Sequence, residues 1–153
     1  MDMPKASPGH LRLEKMAGNW QGEEKMHPSP WEPKGGTAVA TMKSRLDLSG
    51  FALISDYEQK RGGVTTFAGH SVMTYNAKDD LYSLHWFDCM GSAPEVFTGR
   101  FQGDVLVVAH GGPGMHARLT YDLGNPRQMT SKMEMSQDGA RWSTMFEGSY
   151  KRT

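Results

Sequence analysis

The chain lacks the features of several large classes of protein. It has a single cysteine, Cys89, among 153 residues, which means that no disulfide can form within it. No apolar run approaches the roughly 20 residues that a membrane-spanning helix needs. The opening segment MDMPKASPGH has no apolar stretch of the kind found in a secretory signal. We therefore expect a cytoplasmic protein without a membrane partner.

A net charge is also missing. Lys and Arg together number 17, as do Asp and Glu, and no block of one sign occurs. Because nucleic-acid-binding domains present basic surfaces, we expect no nucleic-acid partner. The length is that of one domain and is sufficient to bury a core. We expect a disordered tail over residues 1–7 and a single domain over residues 8–153.

Glycine and methionine are abundant instead, at 18 and 12 residues. One segment, residues 8–17, has the apolar spacing of a short helix, and Gly18 is a natural end for it. From Gly18 onward the hydrophobic period changes to two, which is typical of β-strands. In TAVATMKSRLDL, for example, this period places Ala38, Ala40 and Met42 on one face of a strand and Val39, Thr41 and Lys43 on the other.

Ten such strand-like segments follow the helix, separated mostly by short turns rich in Gly, Asn, Asp and Pro. The pairs Gly62-Gly63 and Gly103-Asp104 are typical of tight β-hairpins. No alternation of strands with helices is present, which argues against a parallel sheet. A meander of this length is expected to close on itself. The predicted fold is all-β: an antiparallel up-and-down barrel of about ten strands with a short N-terminal helix.

The segment HPSPWEPKGG, residues 27–36, is longer than a hairpin connection requires. Its three prolines prevent both a helix and a central strand. We predict that it crosses the open end of the barrel and that Trp31 contacts the ligand there. The alternative is that Trp31 packs on the outer surface or against a second subunit, in either a monomer or a homodimer.

Polar and aromatic residues concentrate in the middle strands, in DYEQ, GHS and LHWFD. A two-residue turn at Gly62-Gly63 fixes the pairing of the strands that flank it, and we expect Tyr57 and His70 to share one face. The predicted opposite pairs are Lys60 with Thr65, Tyr57 with Ala68, and Ser55 with His70.

The next hairpin leaves two registers open. If Tyr75 pairs with Tyr82, His85 joins the face of Tyr57 and His70, whereas pairing of Tyr75 with Leu81 places Trp86 there. Polar groups inside a cavity need a partner in the protein, in water or in a ligand. The predicted ligand-binding residues are Trp31, Tyr57, His70, His85 and Trp86. They could instead form internal hydrogen bonds or face solvent.

Motifs for metal or cofactor binding are absent. The histidines are scattered, and no H-x-x-x-H or C-x-x-C spacing occurs. We accordingly assign no metal ligand, no cofactor and no catalytic residue.

Four segments resemble a bacterial family of uncharacterised proteins, a domain of unknown function among the lipocalin-like, or calycin, barrels. They are LEKMAGNWQGEEKMHPSPWEPKGG, GFALISDYEQKRGG, GHSVMTYNAKDDLYSLHWFDCMG and MEMSQDGARWSTMFEGSYKR, and the resemblance runs from about Leu13 to Lys151. Within the first, MAGNWQGE resembles the G-x-W of lipocalin-type first strands, which implies that Trp20 closes the barrel beneath the helix. The family implies a fold and no reaction.

Three functions are compatible with such a barrel. The first, which we predict, is non-enzymatic binding of a small apolar or amphipathic molecule in the interior. The second is an enzyme in which His70 or His85 transfers a proton with help from Tyr57 or Asp56. The third is haem or metal binding, as in a related group of ten-stranded barrels.

Overall fold

The computed structural model describes residues 1–153 and contains one closed barrel. Each strand pairs antiparallel with the next in sequence, and β1 closes the barrel against β10. The predicted all-β barrel of ten strands is therefore confirmed. Strands β1 to β10 are Gly18–Met26, Gly36–Asp47, Ala52–Arg61, Val64–Asn76, Leu81–Asp88, Glu95–Gln102, Val105–Gly112, Met115–Asn125, Gln128–Ser136 and Ser143–Arg152.

A short helical segment precedes the barrel, as the sequence predicts. Helix α1, Pro8–Leu11, begins after Ser7, whose hydroxyl caps its first turn, and it tightens into a 3-10 helix over Arg12–Met16. A second 3-10 segment, Leu48–Gly50, joins β2 to β3 and was not predicted. None of these helices has the length and hydrophobicity required to cross a membrane.

The helical segment covers one end of the barrel and closes it. Trp20 is 2% exposed, and its indole nitrogen donates to the Met16 carbonyl at 3.0 Å. The Arg152 guanidinium lies 4.2 Å from the centre of the Trp20 ring on its outer side. The predicted position of Trp20 beneath the N-terminal helix is confirmed. Leu13, Leu53 and other apolar side chains fill the remaining space at this end.

The opposite end of the barrel carries the longest connections. Strand β1 starts at the closed end. Inward-facing and exposed side chains alternate along it, and Trp20, Glu24 and Met26 are buried. Its last residue therefore lies at the other end. The connection over residues 27–35 begins there, and the hairpin turn at Gly62-Gly63 lies at the same end. Both glycines of that turn have positive φ, as the hairpin prediction requires.

The predicted register of β3 against β4 was wrong by one residue beyond the turn. Lys60 pairs with Thr65 as predicted, but a β-bulge follows, and Gln59 pairs with Phe67. Thr66 is the extra residue, so that Tyr57 lies opposite Gly69 instead of Ala68. The slip exchanges the two faces of β4 beyond the bulge. Ser55 is consequently opposite Ser71, and His70 lies opposite Asp56.

The structure also settles the register of β4 against β5, for which the sequence left two possibilities open. Tyr75 pairs with Tyr82, and the pairing continues through Val72 with His85 to Ser71 with Trp86. In combination with the bulge, this register places Tyr57 and Trp86 inside the barrel and His70 and His85 on its outer face. The prediction that Tyr57, His70 and His85 share one face in this register is therefore only partly correct. The two histidines share a face, but Tyr57 is on the opposite one.

Candidate functional site

The barrel encloses a cavity of about 590 Å³. Of the 23 residues that line it, 13 are hydrophobic, which makes its wall mainly apolar. Methionines and aromatic rings supply much of this wall: Met42, Met73, Met133, Phe67, Trp86, Phe97, Tyr121 and Phe146. Methionine side chains adapt readily to irregular shapes, and a wall built from them can accommodate a ligand of variable contour.

An aromatic cluster forms one side of the cavity on β3, β4 and β5. The Phe67 and Trp86 rings stack with centroids 6.2 Å apart, and the Tyr57 ring meets both edge-on at about 6 Å. Gly69 makes room for this arrangement, because a Cβ at that position would lie 2.5 Å from the Trp86 ring. The Trp86 indole nitrogen donates to the Asp88 carboxylate at 2.8 Å, which fixes the ring orientation.

A buried carboxylate is the centre of the polar part of the cavity. Glu24 is 1% exposed and points inward from β1. Its Oε1 accepts hydrogen bonds from the Tyr57 hydroxyl and from Gln59 Nε2, the latter at 2.9 Å. Its Oε2 accepts a hydrogen bond from the Tyr150 hydroxyl at 2.5 Å. Ser131 extends the network, with its hydroxyl 3.0 Å from that of Tyr150.

The tyrosine hydroxyls of this cluster are held in their protonated form. Burial, and then the negative charge of Glu24, raise the pKa of Tyr57 and of Tyr150 well above the ordinary value. The same two causes raise the pKa of Tyr121 to about 12. All three side chains are hydrogen-bond donors at neutral pH. Tyr57 and Tyr150 donate to Glu24, whereas the Tyr121 hydroxyl has no hydrogen-bond partner in the protein and faces the cavity.

The mouth of the cavity carries a second set of charges. Glu32, in the connection over residues 27–35, bonds through its carboxylate to the Arg61 guanidinium at 2.6 Å. Asp88 and Glu95, which lie at the end of β5 and the start of β6, also line the cavity. The Glu32–Arg61 pair ties the long connection to the end of β3 and so fixes its position beside the opening.

Two of the five predicted site residues line the cavity. Tyr57 belongs to the Glu24 cluster and Trp86 to the aromatic wall. Trp31 is 65% exposed and does not line the cavity, although its neighbour Glu32 does. A ligand-binding role for these residues stays a prediction.

His70 and His85 lie outside the cavity. His70 is on the outer face, where its Nδ1 is 2.7 Å from the Asp56 carboxylate, and both side chains are largely exposed. His85 pairs across the sheet with Val72 and Val96 on that same face. The enzyme alternative named Asp56 as one possible partner of His70, and the two side chains do meet, but they face away from the enclosed space.

The prediction missed the residues at the centre of the polar cluster: Glu24, Gln59, Tyr121, Ser131 and Tyr150. A signal for the first was available in the sequence. Trp20 and Glu24 are four residues apart on one strand, and side chains separated by an even number of residues share a face. Once Trp20 is assigned to the interior, the carboxylate of Glu24 must point inward as well.

The residues that line the cavity can be compared with what the two alternative functions, an enzyme and haem or metal binding, would require. It includes neither histidine nor cysteine, and no group of three His, Cys, Asp or Glu residues in the chain could hold a metal ion. An enzyme that uses His70 or His85 would need that imidazole in the cavity. Haem held by an imidazole would need one there as well.

The sequence matches a family model described as protein of unknown function (DUF1579) over residues 5–152. No curated protein matches the chain. The match spans nearly all of the domain and agrees with the family resemblance of the four segments.

Solved structures share the fold. Rv2717c from M. tuberculosis is 13% identical with a TM-score of 0.73, and the alignment covers 97% of this chain and 99% of that one. The S-type phycobiliprotein lyase CpeS from Guillardia theta is 10% identical with a TM-score of 0.63, covering 92% and 90%. A protein of unknown function from the DUF3598 family of Nostoc punctiforme is 12% identical with a TM-score of 0.61, covering 99% and 51%. At these identities the similarity shows the fold alone.

Proposed function

Since the chain belongs to the DUF1579 family, whose description assigns no function, we propose from the barrel interior that it binds a small amphipathic molecule. The apolar part of the ligand lies against the methionines and the Tyr57, Phe67 and Trp86 rings. Its polar part lies at the cluster centred on Glu24. The observation that carries the proposal is the combination of an apolar cavity with a buried carboxylate on one wall.

The dimensions of the cavity support binding of a molecule of modest size. Ligand sites in proteins typically measure about 300–1,000 Å³ and are lined mainly by apolar and aromatic side chains with a few placed polar groups. A volume of about 590 Å³ lies within that range, and the lining has this composition.

The polar cluster supports a role beyond stability. Placing a carboxylate in a barrel interior is costly, and an apolar side chain at position 24 would avoid that cost. The structure instead surrounds Glu24 with the Tyr57, Gln59 and Tyr150 donors, which hold its two oxygens in fixed directions. A preorganised acceptor of this kind is suited to orienting the polar end of a bound molecule.

The connection over residues 27–35 borders the entrance. It reaches the opening through Glu32, and its Arg61 partner is on the adjacent strand end. Pro28, Pro30 and Pro33 restrict its backbone and lower the entropy lost on ordering it. We include this segment in the proposal as the rim of the binding site. The contact between Trp31 and the ligand, which the sequence predicts, is part of the same proposal.

Binding is tested by titration with the uncharged fluorescent molecule N-phenyl-1-naphthylamine, whose emission rises in apolar surroundings. Ser71→Phe adds a ring inside the cavity, because Ser71 is buried in its lining opposite Trp86. His70→Phe is the matched control, one residue away on the outer face. We expect saturable binding to the unmodified chain and to His70→Phe, and a loss of binding in Ser71→Phe.

Two results would contradict the proposal. One is the absence of saturable fluorescence enhancement with the unmodified chain. The other is equal binding by Ser71→Phe and His70→Phe, which would place the fluorescent molecule on the outer surface. Thermal unfolding of each variant establishes that it is folded before the titration.

A further inference from the structure

The charges of the cavity are unbalanced, although those of the whole chain are not. The 153 residues include equal numbers of acidic and basic side chains. The cavity lining has four carboxylates and one guanidinium. That guanidinium, on Arg61, is at the mouth and is already bound to Glu32. The interior is therefore a local region of negative charge.

Glu24 is the most strongly buried of these carboxylates. Its three partners are two hydroxyls and an amide, which supply hydrogen bonds but no positive charge. A buried carboxylate is ordinarily paired with a cation, because neutral donors offset only part of the lost hydration. No cationic side chain of this protein is within salt-bridge distance of Glu24.

The geometry also leaves Glu24 with unused capacity to accept hydrogen bonds. A carboxylate offers about four lone-pair positions. Oε1 accepts two hydrogen bonds, from Tyr57 and Gln59, whereas Oε2 accepts one, from Tyr150. Glu24 lines the cavity, and its unused capacity to accept a hydrogen bond is on Oε2.

We infer that the ligand carries a cationic head group with N–H donors, such as a primary ammonium, which binds Glu24 while its apolar part lies against the aromatic wall. This inference rests on the proposed function and specifies its ligand as an amphipathic amine. An ammonium supplies both the charge that the cluster lacks and the donor that Oε2 can accept. An anionic head group would instead be placed beside a buried negative charge.

Asp88 and Glu95 also favour a positively charged ligand at the entrance. Both line the cavity at the mouth, where together with Glu32 they outnumber Arg61. Because Glu95 is exposed, its contribution is screened by salt and acts mainly on the rate of entry. The affinity preference therefore depends on Glu24.

The test compares three molecules with the same ten-carbon chain: decylammonium, decanol and decanoate. Each is titrated, below its aggregation concentration, against the complex with N-phenyl-1-naphthylamine. We expect decylammonium to displace the fluorescent molecule at concentrations at least about tenfold lower than decanoate, since a hydrogen bond to a charged group contributes on that scale. Decanol is expected to lie between them.

The matched variants are Glu24→Gln and Glu23→Gln. Glu23 is the adjacent residue on β1 and is exposed, so its neutralisation removes the same charge from the outer face. Glu24→Gln should bring decylammonium and decanoate to within about twofold of each other, and Glu23→Gln should preserve the difference between them. The order of the three molecules on the unmodified chain decides the question if Glu24→Gln does not fold.

The outcomes separate this inference from the proposed function. Displacement by decanol or decanoate at the same concentration as decylammonium would overturn the cationic head group and leave amphipathic binding intact. A preference for decylammonium that persists in Glu24→Gln would overturn the role of Glu24. If neither the fluorescent molecule nor any of the three competitors binds, both the proposed function and this inference fail.

Discussion

Removing one buried hydroxyl from the polar cluster should lower the free energy of unfolding much more than removing an exposed tyrosine hydroxyl elsewhere in the barrel. In Tyr150→Phe the ring keeps its packing, but Glu24 Oε2 loses its hydrogen-bond donor in the protein and the Ser131 hydroxyl loses a partner. Hydrogen bonds to charged groups contribute about 1.5–3 kcal/mol. Tyr150 and Glu24 are each 1% exposed, so the hydrogen bond between them is shielded from bulk solvent.

The expected destabilisation of Tyr150→Phe is therefore about 1.5–3 kcal/mol in the free energy of unfolding at pH 7. For a domain of this length, that corresponds to a decrease of about 3–12 °C in the melting temperature. Urea unfolding followed by circular dichroism measures the free energy. The control is Tyr75→Phe, which removes an exposed hydroxyl bonded to Asp80 and should change stability by less than about 0.5 kcal/mol.

A double-mutant cycle attributes the effect to the carboxylate. In a Glu24→Gln background the acceptor is neutral, and Tyr150→Phe should then cost only about 0.5–1.5 kcal/mol. The reasoning is refuted if Tyr150→Phe is as stable as the unmodified chain. It is equally refuted if its cost is the same in both backgrounds, because the hydroxyl would then not act through the charge of Glu24.

Two further predictions concern the closed end and the tyrosines. Trp20→Ala should destabilise by about 3–5 kcal/mol in urea unfolding, as for other large core truncations, whereas the exposed Trp31→Ala should change stability by less than about 0.5 kcal/mol; a cost below about 1 kcal/mol at Trp20 would contradict its placement. The folded-state pKa values of Tyr57, Tyr121 and Tyr150 are raised, so above about pH 10 the folded state retains protons that the unfolded chain loses. The free energy of unfolding should therefore fall as the pH rises above about 10, by about 1.4 kcal/mol per pH unit for each tyrosine. A urea midpoint that stays constant from pH 9.5 to pH 11 would contradict this reasoning, and Tyr121→Phe should reduce the slope.

The barrel could be predicted because its signals are local. Each glycine-rich or Asn/Asp/Pro-rich turn marks the end of a strand, and short connections force antiparallel neighbours. The position of Trp20 was implied by the resemblance of MAGNWQGE to lipocalin-type first strands. The bulge at Thr66 has no comparable signal. It depends on how β3 and β4 twist around the closed barrel, and one extra residue was enough to exchange the predicted inner and outer faces.

The candidate site was predicted only in part, for a related reason. Tyr57 and Trp86 were selected by residue type, and the structure places both in the cavity. The histidines were selected for their chemistry, but the bulge directs His70 outward. Glu24 and Tyr150 are 126 positions apart in sequence, and they meet only because β1 closes the barrel against β10. Such a pairing depends on the closure of the sheet, which local patterns do not specify residue by residue.

The most direct test of amphipathic binding in the barrel is the methyl spectrum of the protein labelled with ¹³C at its methionine methyl groups. Met42, Met73 and Met133 line the cavity, whereas Met1 and Met3 are exposed at the N-terminus. On addition of decylammonium, or of N-phenyl-1-naphthylamine, we expect saturable shifts and intermolecular contacts at the methyl groups of Met42, Met73 and Met133 and unchanged signals from Met1 and Met3. Saturation without any change at Met42, Met73 and Met133 would place the bound molecule outside the barrel and contradict binding in its interior.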